Sequence, residues 1–362
     1  MRAGFAGEDE PKCEFPTCVG VVKNNSSNKY YVGDGAWRQS QNYDLIHPLQ
    51  HGIIEKWEEM ETIWAHTFEK ELKVESKEHS VILSETPLNP AKKREKTMEI
   101  MFERFGVTGY YVSKEPVMAV ISSGRYTATV ADVGSDVSFV APVYEGACLS
   151  NNVCRMEMGG SDLTDYMLHL LQRKGYSFGS DEQTKILMRD IKEKCCYVAL
   201  DYENEISCFE EPEKHSTNYT KTKEYELPDM QKITLGRERA DCPEALFQPS
   251  LIGKDNLKGI HEAINDTILN CDESIQRDMF CNTILSGGGT LMLGTADRLQ
   301  REIHKKKNEH GTHVMIVAPP ERKFSTWIGG SVLGCISSFD DTKITKFDYE
   351  EHGARIVHRR CF

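Results

Sequence analysis

The chain has 362 residues, 39% of them hydrophobic and 28% charged, with a formal net charge of -12. That length is ample for two lobes of ordinary domain size, the acidic balance argues against a nucleic-acid binder, and no apolar run reaches the roughly 18 residues of a membrane span. The opening residues carry no secretory apolar core, and the 12 cysteines and 12 histidines form neither C-x-x-C nor H-E-x-x-H, so reduced thiols in cytosol or nucleus are expected and a zinc centre is not.

In chain order, residues 2–7 read as half of a hairpin running close to a ligand or another backbone, with its partner strand missing. Residues 8–29 turn mostly polar, and 23–29 are a loop by composition. Order restarts at 30–34, and Ile63, Trp64, Phe68 and Leu72 predict an amphipathic helix over 57–72. Residues 81–83 predict a buried strand closed by Pro87 and Pro90, while Met98, Met101, Phe102 and Phe105 predict a core helix. A strand at 110–112 then leads into a helix over 115–123. The run Ala131-Asp132-Val133-Gly134-Ser135-Asp136, between alternating segments 127–130 and 137–140, reads as a hairpin able to meet phosphate.

Helices are predicted over 162–171 and 183–199, the second running into an acidic stretch, 201–213, read as an exposed loop. Residues 225–229 and 232–236 predict a hairpin. Ile260, Ile264 and Ile268 predict a helix just before the run 282–290, where a β-branched strand stops in Gly287-Gly288-Gly289 and a helix marked by Leu299 and Ile303 follows. Lys305, Lys306 and Lys307 suit that helix's C-terminus. Residues 314–317 predict a strand, and 329–337 a small-residue helix whose glycines permit close packing. Strands alternating with helices, and no low-complexity linker, predict an α/β class with interleaved lobes. The glycines at 287–289 let backbone N–H groups approach an anion at the positive end of a helix. Facing the Asp132 hairpin, that turn would complete a nucleotide clamp, whereas a glycine-rich turn alone is in most proteins only a turn.

Several longer segments are similar to one family. Arg2-Ala3-Gly4-Phe5-Ala6-Gly7, Cys196-Tyr197-Val198-Ala199-Leu200, Cys242-Pro243-Glu244-Ala245-Leu246-Phe247-Gln248-Pro249, Leu285-Ser286-Gly287-Gly288, Ala318-Pro319-Pro320-Glu321-Arg322-Lys323, Trp327-Ile328-Gly329-Gly330 and the ending Ile356 to Phe362 resemble actin nearly letter for letter. The resemblance implies an actin-like ATPase fold: two duplicated α/β lobes around a cleft that holds ATP or ADP with Mg or Ca. It implies subdomains at 1–16, 48–122 and 324–362; at 17–47; at 123–158 and 257–323; and at 159–256.

By the same resemblance, Asp132 orients metal-bound water under the phosphates, followed by Gly134 in the loop. Gly160 lies at the sugar, and Arg189, Lys192, Glu193, Gly288 and Lys323 lie around ribose and adenine. Met292 stands where the family has a tyrosine beside the base. Glu115, before Pro116, stands for the water-positioning glutamine and is the candidate base. Phe139 replaces a water-ordering histidine, and Ser135 replaces a loop carboxylate that Asp136 next door would have to supply. Arg2 takes the place of the phosphate-binding lysine. The family's first strand and phosphate loop precede Arg2, so the clamp is expected to lack one jaw if Met1 is the true start.

The loop at 23–29 is shorter than its counterpart in actin and lacks the apolar tip that enters a neighbouring subunit, and the plug region 251–258 is more charged. Weakened polymerisation and hydrolysis are expected. The partners implied are actin-family subunits or actin-binding proteins, with no direct nucleic acid and no membrane, in the cytoskeleton or nucleus. Two functions follow: a divergent ATP-binding actin, or a non-enzymatic actin-related scaffold subunit of a motor-associated, ciliary or chromatin-remodelling complex.

Overall fold

A computed structural model describes residues 1–22, 30–210, 222–307 and 313–361. The chain divides into two units, one made of Met1–Val130, Ala141–Val153 and Lys323–Phe362, the other of Ala131–Val140 and Cys154–Arg322. Segments 123–130 and 141–153 thus associate with the first unit.

In the first unit β1 (Arg2–Ala3) pairs antiparallel with β2 (Cys13–Glu14), setting Arg2 opposite Glu14. Residues 2–3 thus have a partner just downstream, and the mostly polar residues between are the connection of this hairpin. Order continues in β3 (Val19–Val22), the middle strand of an antiparallel sheet with β4 (Tyr30–Val32) and, after a short helix α1 (Asp34–Trp37), β5 (Tyr43–Ile46). The expected loop at 23–29 lies outside the described residues. A small hairpin of β6 (Leu49–Gln50) and β7 (Ile53–Ile54) precedes α2 (Trp57–His66).

The helix predicted to reach residue 72 widens after His66 into a π-helical turn, Thr67–Leu72. There the Thr67 hydroxyl donates to the Ile63 carbonyl at 2.8 Å, a side-chain bond that competes with regular helical pairing. The expected apolar face is in place all the same, with Ile63, Trp64 and Leu72 buried. Strand β8 (Ser80–Glu85) runs parallel to β9 (Gly109–Lys114) with α3 (Ala91–Glu103) between them in sequence. β8 is half-buried along most of its length, where a fully buried strand was expected. Helix α4 (Glu115–Ser122) begins directly where β9 ends. Trp64, Met98, Met101, Phe102 and Tyr110 join Ile356 and Val357 in one core cluster.

The hairpin of β10 (Ala128–Val133) and β11 (Ser138–Tyr144) carries the chain into the second unit and back. β11 pairs through Val143 and Tyr144 with β12 (Ala147–Cys148), and through its 138–140 end with β13 (Cys154–Met156). Next come α5 (Gly160–Arg173), α6 (Glu182–Cys195) and α7 (Tyr202–Glu210). Helix α6 stops four residues short of the predicted 199, because the Tyr197 and Val198 amides donate to the carbonyls of Arg239 and Leu293 at 3.1 and 2.8 Å and hold the chain extended. Tertiary pairing overrides local propensity here.

The acidic stretch read as a loop is helical over Tyr202–Glu210, with Ile206 buried. Two of its carboxylates meet cations: Arg301 bonds Asp201 at 2.6 Å and Arg237 bonds Glu210 at 2.6 Å. The hairpin of β14 (Lys223–Glu226) and β15 (Lys232–Leu235) leads to α8 (Glu238–Glu244), α9 (Ile260–Leu269) and α10 (Glu273–Cys281). The helix marked by Ile260, Ile264 and Ile268 is thus separated from the glycine run by α10, whose polar composition hid it. Strand β16 (Thr283–Ser286) lies between β10 and β17 (Ile316–Val317), with α11 (Thr295–Lys307) connecting β16 to β17. Arg298 of α11 is buried and bonds both carboxylate oxygens of Glu244 at 3.0 Å and the Ala199 carbonyl at 2.8 Å. Such a fork satisfies a buried charge whose single removal would be strongly destabilising.

Helix α12 (Ser325–Cys335) returns the chain to the first unit, followed by α13 (Phe339–Thr342), β18 (Ile344–Thr345) on β9, α14 (Lys346–His352) and α15 (Val357–Arg360). The close packing expected of its glycines is visible at Gly329, where a β-carbon would lie 1.9 Å from the Met118 carbonyl oxygen on α4. At Gly330 the nearest atom would be the Met118 Cε, at an ordinary 3.6 Å. Gly329→Ala is therefore expected to destabilise the chain by about 3 kcal/mol, and Gly330→Ala by well under about 1 kcal/mol. Urea midpoints of the two variants check this, and equal midpoints would refute the close approach.

Candidate functional site

The second unit brings together most of the residues singled out from the sequence. Asp132 and Val133 end β10, and Gly134 closes the turn by donating its amide to the Val137 carbonyl at 3.0 Å. The N-terminus of α5 docks onto this turn. The amide of Gly160 donates to the Gly134 carbonyl at 2.9 Å, and that of Ser161 to the Ser135 carbonyl at 2.8 Å. The Ser161 hydroxyl also donates to Asp136 Oδ1 at 2.9 Å. Asp136, the candidate replacement for a missing loop carboxylate, is therefore engaged within the protein.

The glycine run docks on the same turn. Gly287 has φ +84°, and a β-carbon there would lie 2.4 Å from the Val133 carbonyl oxygen and 2.8 Å from Asp132 Oδ1. Only glycine accepts both the left-handed backbone and the approach. The Gly287 amide donates to the Arg322 carbonyl at 3.1 Å. Gly289 sits against the Val133 side chain, and Gly288 is exposed. The two turns, expected to face one another, both belong to the second unit and touch. Backbone contact without a side chain at Gly287 lets them meet directly.

Lys192 of α6 reaches into this junction. Its ammonium donates to the Gly160 carbonyl at 2.5 Å and to the Thr164 hydroxyl at 3.0 Å, and the residue is 7% exposed. Desolvation pulls its pKa below the ordinary lysine value. Because the folded pKa is the lower one, the group costs stability in full below it, and the cost fades as pH rises through the unfolded value. Arg189 and Glu193 lie on the exposed side of α6 and pair with each other at 2.9 Å. Met292 is half-buried, and its carbonyl accepts from the Thr295 amide and hydroxyl at 3.2 and 2.7 Å, capping α11.

Arg2, Glu115 and Lys323 belong to the first unit. Arg2 and Lys323 are neighbours: Arg2 Nη1 donates to the Lys323 carbonyl at 2.7 Å, and both side chains pair with Glu14, at 3.1 and 2.8 Å. Glu115 occupies the first turn of α4 and is half-buried. Phe139, in place of a water-ordering histidine, is 2% exposed and offers no polar atom. Sequence reasoning did not find Glu14, Ser161 or Thr164. Thr164 was in principle legible, one helical turn beyond Gly160; Glu14 was not, since only strand register places it beside Arg2.

This is a two-unit α/β protein whose chain crosses between units at 130/131, 140/141, 153/154 and 322/323. The family model Actin matches residues 1–362, the whole chain, and the chain belongs to the actin family. Members of that family generally bind nucleotide with divalent cations. No described helix is long and apolar enough to cross a membrane.

Gly287→Ala is expected to cost at least about 2 kcal/mol, from backbone strain at positive φ plus overpacking against Val133. A thermal-unfolding midpoint unchanged by the substitution would show that the two turns are not locked together.

Proposed function

We propose that this chain is a divergent cytoskeletal member of its family that binds ATP or ADP with Mg or Ca weakly, with hydrolysis slow or absent and polymerisation reduced. Lys192 is the observation that carries the nucleotide part. A buried ammonium whose hydrogen bonds end on two neutral oxygens, beside a helix N-terminus, fits an electron-rich ligand such as a ribose or phosphate oxygen. Among the described residues no three His, Cys, Asp or Glu side chains form a metal cage. One carboxylate acting through water suits a cation held chiefly by phosphates, and Asp132 is that carboxylate in this reading. A bound divalent cation would neutralise phosphate charge. Gly134, Gly160 and Gly288 supply backbone groups, Arg189, Glu193 and Met292 border ribose and base, and Glu115 is the base for an attacking water. The roles of Arg2, Glu115 and Lys323 rest on the family resemblance alone.

Weak turnover is supported by Phe139, which neither donates nor accepts, and by the engagement of Asp136 with Ser161. Reduced self-assembly is supported by the charged plug region, whose Lys254 pairs with Asp162 and Lys258 with Asp266, each at 2.6 Å. The same features, with Glu14 holding Arg2 and Lys323, favour a second reading as a non-enzymatic scaffold subunit.

Nucleotide released by acid from the purified protein is expected to be ATP or ADP at less than one per chain. Lys192→Met is expected to lower ATP affinity about tenfold while the urea midpoint holds or rises, since a buried charge is removed. Equal ATP affinity in the variant would remove Lys192 from the site. Absence of nucleotide from both proteins, with no sedimenting polymer, would select the scaffold reading.

A further inference from the structure

Two buried thiols of the second unit lie against one another. Cys196 follows directly on α6 and Cys242 belongs to α8; they are 8% and 0% exposed, and their side chains are within hydrogen-bonding reach of each other. The backbone holds them there. The Tyr197 amide donates to the Arg239 carbonyl at 3.1 Å, and Arg239 Nε donates to the Cys195 carbonyl at 2.8 Å, so the residues on both sides of Cys196 are tied to Arg239. Arg239 and Cys242 are three positions apart in α8 and therefore share a face of it. The Arg239 guanidinium also covers the Tyr197 ring, 4.9 Å from its centre. Cys242 Sγ donates to the Leu163 carbonyl of α5 at 3.2 Å.

We infer that Cys196 and Cys242 are a redox-active pair, which a peroxide converts to an intramolecular disulfide that fastens the segment after α6 to α8, and which thiols restore. The pairing does not depend on bound nucleotide. One thiolate attacks a peroxide oxygen, the O–O bond breaks and hydroxide leaves, giving a sulfenic acid; the second sulfur then attacks the first, and its proton leaves with the S–OH oxygen as water. Two thiols and one hydrogen peroxide thus yield one disulfide and two waters, the sulfurs being oxidised and the peroxide oxygens reduced. Burial, with the neighbouring Cys242 thiol adding to it, pushes the Cys196 thiol well above the ordinary cysteine range. Little thiolate is present at neutral pH, so the pair oxidises more slowly than the exposed Cys335. Oxidation also removes the proton that Cys242 gives to the Leu163 carbonyl, a loss that works against the disulfide and leaves it open to reduction. Closing a loop over residues 196–242 restricts the unfolded chain, so the oxidised form resists heat better.

The test treats the full chain with hydrogen peroxide until its thiol content is constant, alkylates what remains under denaturing conditions, and maps unreduced peptides by mass spectrometry. Peptides joined through Cys196 and Cys242, two hydrogens lighter than the separate pair and released by dithiothreitol, are expected. A rise in melting temperature of about 5 °C, abolished by dithiothreitol, accompanies them. Cys196→Ala is expected to lose both the linked peptides and the rise, while Cys195→Ala keeps both. Oxidation of the exposed Cys335 shows that the peroxide has acted. Three outcomes in the parent chain would overturn the inference: Cys196 and Cys242 recovered as thiols beside an oxidised Cys335, Cys242 joined to Cys195 instead, or either sulfur carried to a sulfinic acid without a link. Linked peptides without the rise would refute the fastening of α8. Because the peptide map is read on the parent chain, it decides the pairing even where a variant fails to fold.

Discussion

The contact between the Gly287 backbone and the Val133 carbonyl is the constraint on which the second unit's site depends. A strand end, a hairpin turn and a helix N-terminus all meet there, and none of them could approach so closely through side chains. Once Gly287 sits on Val133, β16 is set beside β10, and the turn at Gly134 presents its carbonyl to the Gly160 amide. The N-terminus of α5, on which the Lys192 ammonium bonds, is placed by this backbone geometry, while Leu163, Met167, Leu170 and Leu171 bury the rest of the helix. Main-chain hydrogen bonds and backbone contact make up most of the junction, with Ser161 and Lys192 adding side-chain bonds to it.

Among the described residues, several ion pairs tie distant parts of the chain together. Arg298 with Glu244, Arg301 with Asp201, Lys254 with Asp162 and Lys323 with Glu14 each link segments far apart in sequence. The first is buried and the others partly exposed, so they differ in worth: the buried fork specifies how α11 meets α8, while the exposed pairs contribute a few tenths of a kcal/mol each, roughly.

Elements whose pattern is local were legible in the sequence. Met98, Met101 and Phe102 marked α3, the alternation around Asp132 marked the β10–β11 hairpin, and the small residues of α12 marked a close packing whose partner, α4, they did not name. Features decided at a distance were not. Nothing in residues 8–14 announces that Glu14 pairs with Arg2, and the acidic composition of 201–210 hid a helix flanked by the pairs Arg301–Asp201 and Arg237–Glu210. Propensity alone extended α6 over Cys196 to Ala199, where pairing with Arg239 and Leu293 keeps the chain open. For the site, residue types were readable but their grouping was not: the two glycine turns were recognisable as turns, while their direct contact depends on strand order.

The extended link after α6 has a mechanical corollary. Tyr197 and Val198 stitch the end of the helix that bears Lys192 to Leu293, the neighbour of Met292, through a bridge between Tyr197 and Leu293 and the Val198 amide. Two segments a hundred residues apart are thereby yoked like the arms of a lever, and any displacement of the lysine's helix along its axis must be answered by the thioether's loop.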